Sequence, residues 1–221
     1  MSEATNARPW QASKSRVEAF SDGVLAIAVT LLVLDLRPPE VPGHFAHDLA
    51  AEWPSYLAYV AAFAMVGSVW LHHHLLFARV ARVDIGVILT NLVLLLTVSV
   101  LPFPTAVLSS AWRLGQRSDR VAAAVVFALL SAAISGAYIG LCTYLVRHAE
   151  LLADSGAGAM MLGERRRAAI AILGTAVAAL LAFLSPLLAL VLFAVTPVFY
   201  LTTLPRSAAE DPGTEIRQPT E

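Results

Sequence analysis

Charge is scarce in this chain: 14% of its 221 residues are Asp, Glu, Lys or Arg, against about 25% in a typical soluble domain. With 58% hydrophobic residues and a mean hydropathy of +0.71, the natural solvent for most of the chain is lipid. The net charge of -1 gives no global basic field, so nucleic acid is not an expected partner. Cysteine is nearly absent. The single Cys142 lies inside an apolar run, which excludes an intrachain disulfide and leaves no cysteine cluster for metal or redox chemistry. Hydrolase motifs, phosphate-cradling glycine loops and redox fingerprints are also missing, so neither an enzyme nor a cofactor is expected.

What is present is a series of long apolar runs. A membrane-crossing helix needs about 20 apolar residues, and six segments qualify, at roughly 17–36, 54–78, 85–110, 121–146, 167–184 and 187–204. The expected fold is therefore all-α, a polytopic membrane protein with six transmembrane helices. The first run follows a long polar segment and lacks the small-residue cleavage site of a secretory signal, so it reads as a mature span. Ser185-Pro186 divides the last two runs into a tight hairpin. The loop after the first span carries Pro38, Pro39, Pro42 and Pro54 and leaves room for a short surface helix near 44–52. Residues 1–15 read as a cytoplasmic N-terminal segment, 16–204 as the membrane domain, and 205–221 as a disordered cytoplasmic tail.

Basic residues set the orientation, because loops rich in Lys and Arg stay cytoplasmic. Both termini inside puts Arg8, Lys14, Arg16, Arg79, Arg82, Arg147, Arg165, Arg166, Arg167, Arg206 and Arg217 on the cytoplasmic side. Only Arg37, Arg113, Arg117 and Arg120 then face outward. The Arg165–Arg167 run reads as an anchor beside the fifth span.

The first span holds the unusual chemistry. Ser21, Asp22 and Gly23 stand near its start, and a carboxylate at a membrane helix needs protein, water or a partner around it; an N-terminal carboxylate resting on the helix dipole is the plainer alternative. At 100° per residue, Ile27, Leu31 and Leu34 fall within about 60° of one another, with Thr30 on the stripe's edge. Ser21 and Asp22 point to the back of the helix, where neighbours pack. Periodicity alone leaves lipid, core or a pore open as the stripe's surroundings.

The second span ends in Trp70-Leu-His-His-His-Leu-Leu-Phe77, which places Trp70, His73, His74 and Phe77 on one face. Three consecutive histidines point in different directions, so a metal site is not expected; His73 is instead a hydrogen-bonding partner for Asp22 or Ser21. Asn91, inside the third span, must find partners in lipid and completes an expected Ser21–Asp22–His73 network. Pro102 and Pro104 kink or end that span. Tyr138, Tyr144, Tyr200, Trp53 and Trp112 fit an interfacial aromatic belt.

Arg16, Phe20-Ser21-Asp22 and the following Ala-Ile-Ala-Val-Thr-Leu-Leu-Val-Leu resemble the signature of the transmembrane-protein-175 family, the lysosomal potassium channels and their bacterial one-repeat relatives. The likeness continues through Trp70, His73 and Phe77, then through Asn91 and Leu101-Pro102; the second half matches by hydropathy only. The resemblance implies a potassium-selective cation channel in the cell membrane, a homotetramer of six-helix subunits with the first helix lining the pore. Carried over, it makes Ile27, Leu31 and Leu34 the constriction, puts the Thr30 hydroxyl beside them, and makes Arg16, Phe20, Ser21, Asp22, Trp70, His73 and Asn91 a packing network. Potassium would be the permeant ion and membrane lipids the surroundings. No glycine-rich carbonyl filter is present, so a hydrophobic constriction that gates by wetting and dewetting is the expected device. Two rivals use the same residues: a carrier in which Asp22 and His73 bind a coupling ion, and an assembly subunit without transport of its own.

Overall fold

The computed structural model describes residues 13–38 and 43–202. Among these residues eight α-helices follow one another: α1 (Lys14–Leu31), α2 (Phe45–Ala51), α3 (Trp53–Ala78), α4 (Ile85–Ser99), α5 (Pro102–Arg113), α6 (Arg117–Arg147), α7 (Ala157–Leu184) and α8 (Pro186–Thr202). A 3-10 turn at Leu32–Asp35 prolongs α1. Five stretches of the described residues are long and apolar enough to cross a membrane: Lys14–Asp35, Trp53–Ala78, Ile85–Arg113, Arg117–Arg147 and Ala157–Leu184. The chain is thus an all-helical, multi-pass membrane protein. The sixth apolar helix, α8, has 17 residues, about 25 Å of rise against the roughly 30 Å of a hydrocarbon core. Residues 1–12 and 203–221, with Arg8, Arg206, Arg217 and the expected tail, lie outside the described residues.

Prolines punctuate the chain where expected. Pro102 opens α5 at a position whose missing N–H costs nothing, and the third span is accordingly divided into α4 and α5. Ser185 is extended and Pro186 begins α8, making the hairpin. The short surface helix is α2. One boundary needs correction: the fifth span begins at Ala157, ten residues before the expected 167, so Arg165, Arg166 and Arg167 lie within α7 rather than ahead of it. Arginine is a good helix former with a long aliphatic stem, and α7 turns Glu164 inward to pair with Arg167, so the charges do not end the helix.

α6 packs along α7 and against α4, while α1 lies against α3, α4 and α5. Both α6 and α7 bury several small side chains, Ala123, Ala124 and Ala128 on α6 and Ala168, Ala178 and Ala182 on α7. Small residues let helix backbones approach closely, the packing available where lipid offers no hydrophobic drive between helices. Cys142 is an ordinary buried core thiol.

The two ends of the bundle differ. At one, the turns 79–84 and 149–154 are clasped together: Ala81 N–H and Arg82 N–H donate to Leu151 O (2.8 and 3.2 Å), and Ala153 N–H donates to Arg79 O (2.9 Å). Arg79 pairs with Asp154 at 3.0 Å, and Arg82 donates to Glu150 O. At the other end, Glu52 pairs with Arg113 at 2.9 Å, and Arg117 caps the last carbonyls of α7, Phe183 O and Leu184 O. There Arg120 lies 4.7 Å over the Trp112 ring, which meets Trp53. Trp53 and Trp112 thus stand together at a bundle end. Tyr138 does not: it is buried within the bundle, its hydroxyl turned to His72 O and Glu164, because a phenol inside the bundle needs a polar partner.

The clasp should respond to pH. The Arg79 guanidinium holds the Asp154 carboxyl below the usual carboxylate range, helped by the Gly156 and Ala157 N–H groups. Partial burial pushes Asp84 upward, but Val87 N–H and the Tyr144 hydroxyl outweigh it and leave Asp84 low. A depressed folded pKa stabilises above the unfolded value near 4 and is lost as pH falls through the folded value. Wild type should therefore melt higher than Asp154→Asn at pH 6, and the gap should close towards pH 3. A gap unchanged at pH 3 would show that the carboxylate charge contributes nothing.

Gly86, in the first turn of α4, lies beneath the Tyr144 ring, where an added Cβ would come 2.1 Å from the ring's Cζ. That ring cannot step aside freely, because its hydroxyl donates to Asp84 at 2.7 Å and it stacks on His148 at 4.2 Å. Gly86→Ala should cost about 1–3 kcal/mol, read as a lower midpoint of thermal unfolding in detergent; an unchanged midpoint would mean the ring yields at no cost.

Candidate functional site

The two faces of α1 are sharply different. Ser21, Leu25, Ala28 and Leu32 recur at helical spacing and are buried. On the other side Phe20, Ile27, Leu31 and Leu34 remain exposed on the subunit, at 56%, 62%, 43% and 72%. Thr30 is exposed beside them, its hydroxyl donating to Ala26 O and Ile27 O of its own helix. The stripe Ile27, Leu31 and Leu34 is therefore left uncovered by the described residues of its own chain.

The buried face is tied down by polar bonds. Ser21 donates to Val17 O at 2.8 Å and accepts from Asn91 Nδ2 at 2.9 Å. Asn91 Oδ1 in turn accepts from His73 Nε2 at 2.9 Å, and the His73 ring stacks on Phe77 with centroids 4.3 Å apart. Ser21, His73 and Asn91 are all at most 2% exposed. A chain of side-chain bonds inside a membrane bundle must be satisfied at every link, and this one joins α1, α4 and α3.

Asp22 is placed otherwise than expected. It is exposed rather than packed at the back of the helix, and its Oδ1 accepts from Trp70 Nε1 at 2.9 Å. Neither Asp22 nor Ser21 bonds directly to His73; Asn91 stands between. The reason is angular: neighbouring residues on α1 diverge by about 100°, so Ser21 turns into the bundle while Asp22 reaches the edge of α3. The face expected to join Trp70, His73, His74 and Phe77 splits the same way. His73 and Phe77 are buried, whereas Trp70 and His74 stack on each other at the exposed edge. Arg16 and Phe20 are exposed and take no part in these bonds.

A second buried cluster was not anticipated. His72 Nδ1 lies 2.7 Å from Glu164 Oε2, Tyr138 OH approaches the same carboxylate oxygen, and Arg167 pairs with the other oxygen. The available signal was the sequence Glu164-Arg-Arg-Arg167, a carboxylate three residues ahead of a cation on an apolar helix. Among the described residues no group of three His, Cys, Asp or Glu is placed to hold a metal ion.

The family model described as endosomal/lysosomal potassium channel TMEM175 matches residues 16–102, the region from α1 to the start of α5. A potassium channel of Streptomyces collinus is 41% identical over 187 residues, covering 84% of this chain and 90% of that protein. The chain belongs to the TMEM175 family. The crystal structure of a lysosomal potassium-selective channel TMEM175 homologue from Chamaesiphon minutus superposes with a TM-score of 0.74 at 31% identity, covering 87% of this chain and 98% of the other. Human TMEM175, named an endosomal/lysosomal proton channel, is 43% identical over 100 residues, which are 41% of this chain and span 20% of the human protein.

Proposed function

We propose that this protein is a potassium-selective channel in the cell membrane, formed by four copies that bring their α1 helices together around a pore. The observation that carries the reading is the asymmetry of α1: it is held by Ser21–Asn91–His73 and Asp22–Trp70, while the branched apolar stripe is uncovered by the described residues of its own subunit. One helix cannot enclose a pore, so several copies must supply the wall. Ile27, Leu31 and Leu34 form successive apolar rings there, and the Thr30 hydroxyl stands beside them. Such a collar passes ions only when water fills it, so wetting and dewetting gate it. Phe20 and Arg16, exposed on one subunit, pack at the cytoplasmic ends of neighbouring copies.

All six apolar segments cross the bilayer in this reading, with α8 as the sixth. The end carrying Lys14, Arg16, Arg79, Arg82, Arg147 and the Arg165–Arg167 run faces the cytoplasm, and the end with Arg37, Arg113, Arg117 and Arg120 faces out. Both termini are then cytoplasmic. The test is flux from liposomes holding the purified protein, with potassium, sodium and proton gradients compared. Rapid, non-saturating flux that favours potassium is expected. Saturable flux obligatorily coupled to a second ion would replace the channel by a carrier, and a silent, verified oligomer would leave only an assembly role.

A further inference from the structure

The cavity between α3, α6, α7 and α8 has no part in conduction along α1. It measures about 80 Å³, and most of its exposed wall is apolar, from side chains such as Met65, Ile134 and Ala171; of its polar lining residues, His72, Ser68 and Ser135 carry groups left without a hydrogen-bond partner among the described residues. Because the Glu164 carboxylate only accepts, the proton shared at 2.7 Å sits on His72 Nδ1. In the neutral ring Nε2 is then a bare acceptor. It is buried without a hydrogen-bond partner, and the whole residue is 5% exposed. Ser68 stands one turn before His72 on α3 and Ser135 one turn before Tyr138 on α6; neither hydroxyl has a partner among the described residues.

Two arguments narrow the occupant. First, the charges are already matched: Glu164 is paired with Arg167 and bonded by His72, so the cavity offers no net charge to an ion. Second, the space exceeds what water can use. One water needs about 10–15 Å³ and two to four polar partners, so about five waters would share three unpaired groups. An apolar body filling the remainder, with a single donor at one end, satisfies both volume and polarity.

We propose that this cavity binds a small uncharged amphiphile with one hydroxyl on a ring-sized apolar body, an alcohol or phenol whose O–H donates to His72 Nε2. The site is independent of the conduction reading, since it requires only the folded subunit. The probe is 4-fluorophenol, titrated by fluorine NMR into lipid nanodiscs holding the full-length protein, with empty nanodiscs as the partition control. Wild type should show saturable binding above the control, and the Nε2 resonance of nitrogen-labelled His72 should move in step. Ala171→Leu fills the cavity from α7 and should weaken binding about tenfold or more. Ser135→Leu fills it from α6, in case the first variant fails to fold. Binding no greater than in empty nanodiscs, or equal in wild type and a folded filled variant, overturns the site and leaves water as its occupant. Saturable binding with an unmoved His72 resonance overturns the hydrogen bond.

Discussion

Leu31→Ser should raise potassium flux through reconstituted protein about tenfold. Leu31 is the middle member of the uncovered stripe, between Ile27 and Leu34 on the same face of α1. Serine removes most of an apolar side chain worth roughly 1.5–3 kcal/mol in transfer free energy and adds a hydroxyl that holds water. Every copy contributes one such residue to the proposed ring, so the energy needed to fill the constriction falls several times over. Only about 1.4 kcal/mol of that need reach the conduction barrier to give a tenfold rate. Assembly should be unaffected, because Leu31 is not among the buried contacts of its subunit and serine can back-bond to its own helix. Unchanged flux from an intact oligomer would remove Leu31 from the constriction. Leu34→Ser, also on the stripe, should act in the same direction; Leu25→Ser, on the buried face, should destabilise the subunit instead.

Asn91→Ala should be the most damaging single change to the anchoring of α1. The amide is 1% exposed and makes both inter-helix bonds of the Ser21–Asn91–His73 chain. Ser21 keeps its bond to Val17 O, but His73 Nε2–H is left buried with no acceptor. An orphaned buried donor costs about 1–3 kcal/mol, and loss of the amide's own packing adds to it. The thermal midpoint should drop by several degrees. Selectivity should also loosen as α1 shifts on α3 and α4, whereas Asp22→Asn, which can still accept from Trp70 Nε1, should be mild. Asn91→Asp keeps an acceptor for His73 but loses the donor to Ser21, so it should fall between wild type and alanine. A midpoint and potassium preference unchanged in Asn91→Ala would mean that packing alone positions the pore helix.

These expectations separate what could be read from the residues from what could not. The spans at 54–78 and 85–110, the break at Pro102, the Ser185-Pro186 hairpin and the short helix before α3 were legible, because hydropathy and proline act locally. Ser21, His73 and Asn91 were recognisable as partners, since each is a polar group that lipid cannot satisfy. Their order was not: whether His73 meets Ser21, Asp22 or Asn91 depends on how three helices are rotated against one another. The start of α7 was misplaced because an Arg run reads as a boundary when taken alone, and only the inward turn of Glu164 shows how the helix carries it. Tyr138 was assigned to the interface for a similar reason, since its partners, His72 and Glu164, are contributed by distant segments.

The residues alone establish that this protein lives in lipid, mark out five segments long and apolar enough to cross it, and require polar company for the back of α1. These follow from the cost of leaving backbone or side-chain polar groups unpaired in hydrocarbon, a cost each segment carries wherever it packs. It takes the packed bundle to show that Asn91 mediates between Ser21 and His73, that Asp22 is held by Trp70 at an exposed edge, and that His72 turns away to Glu164 beside a cavity. Helix periodicity fixes the angle between residues on one helix, but the rotation of each helix about its own axis is set by the packing of all of them together.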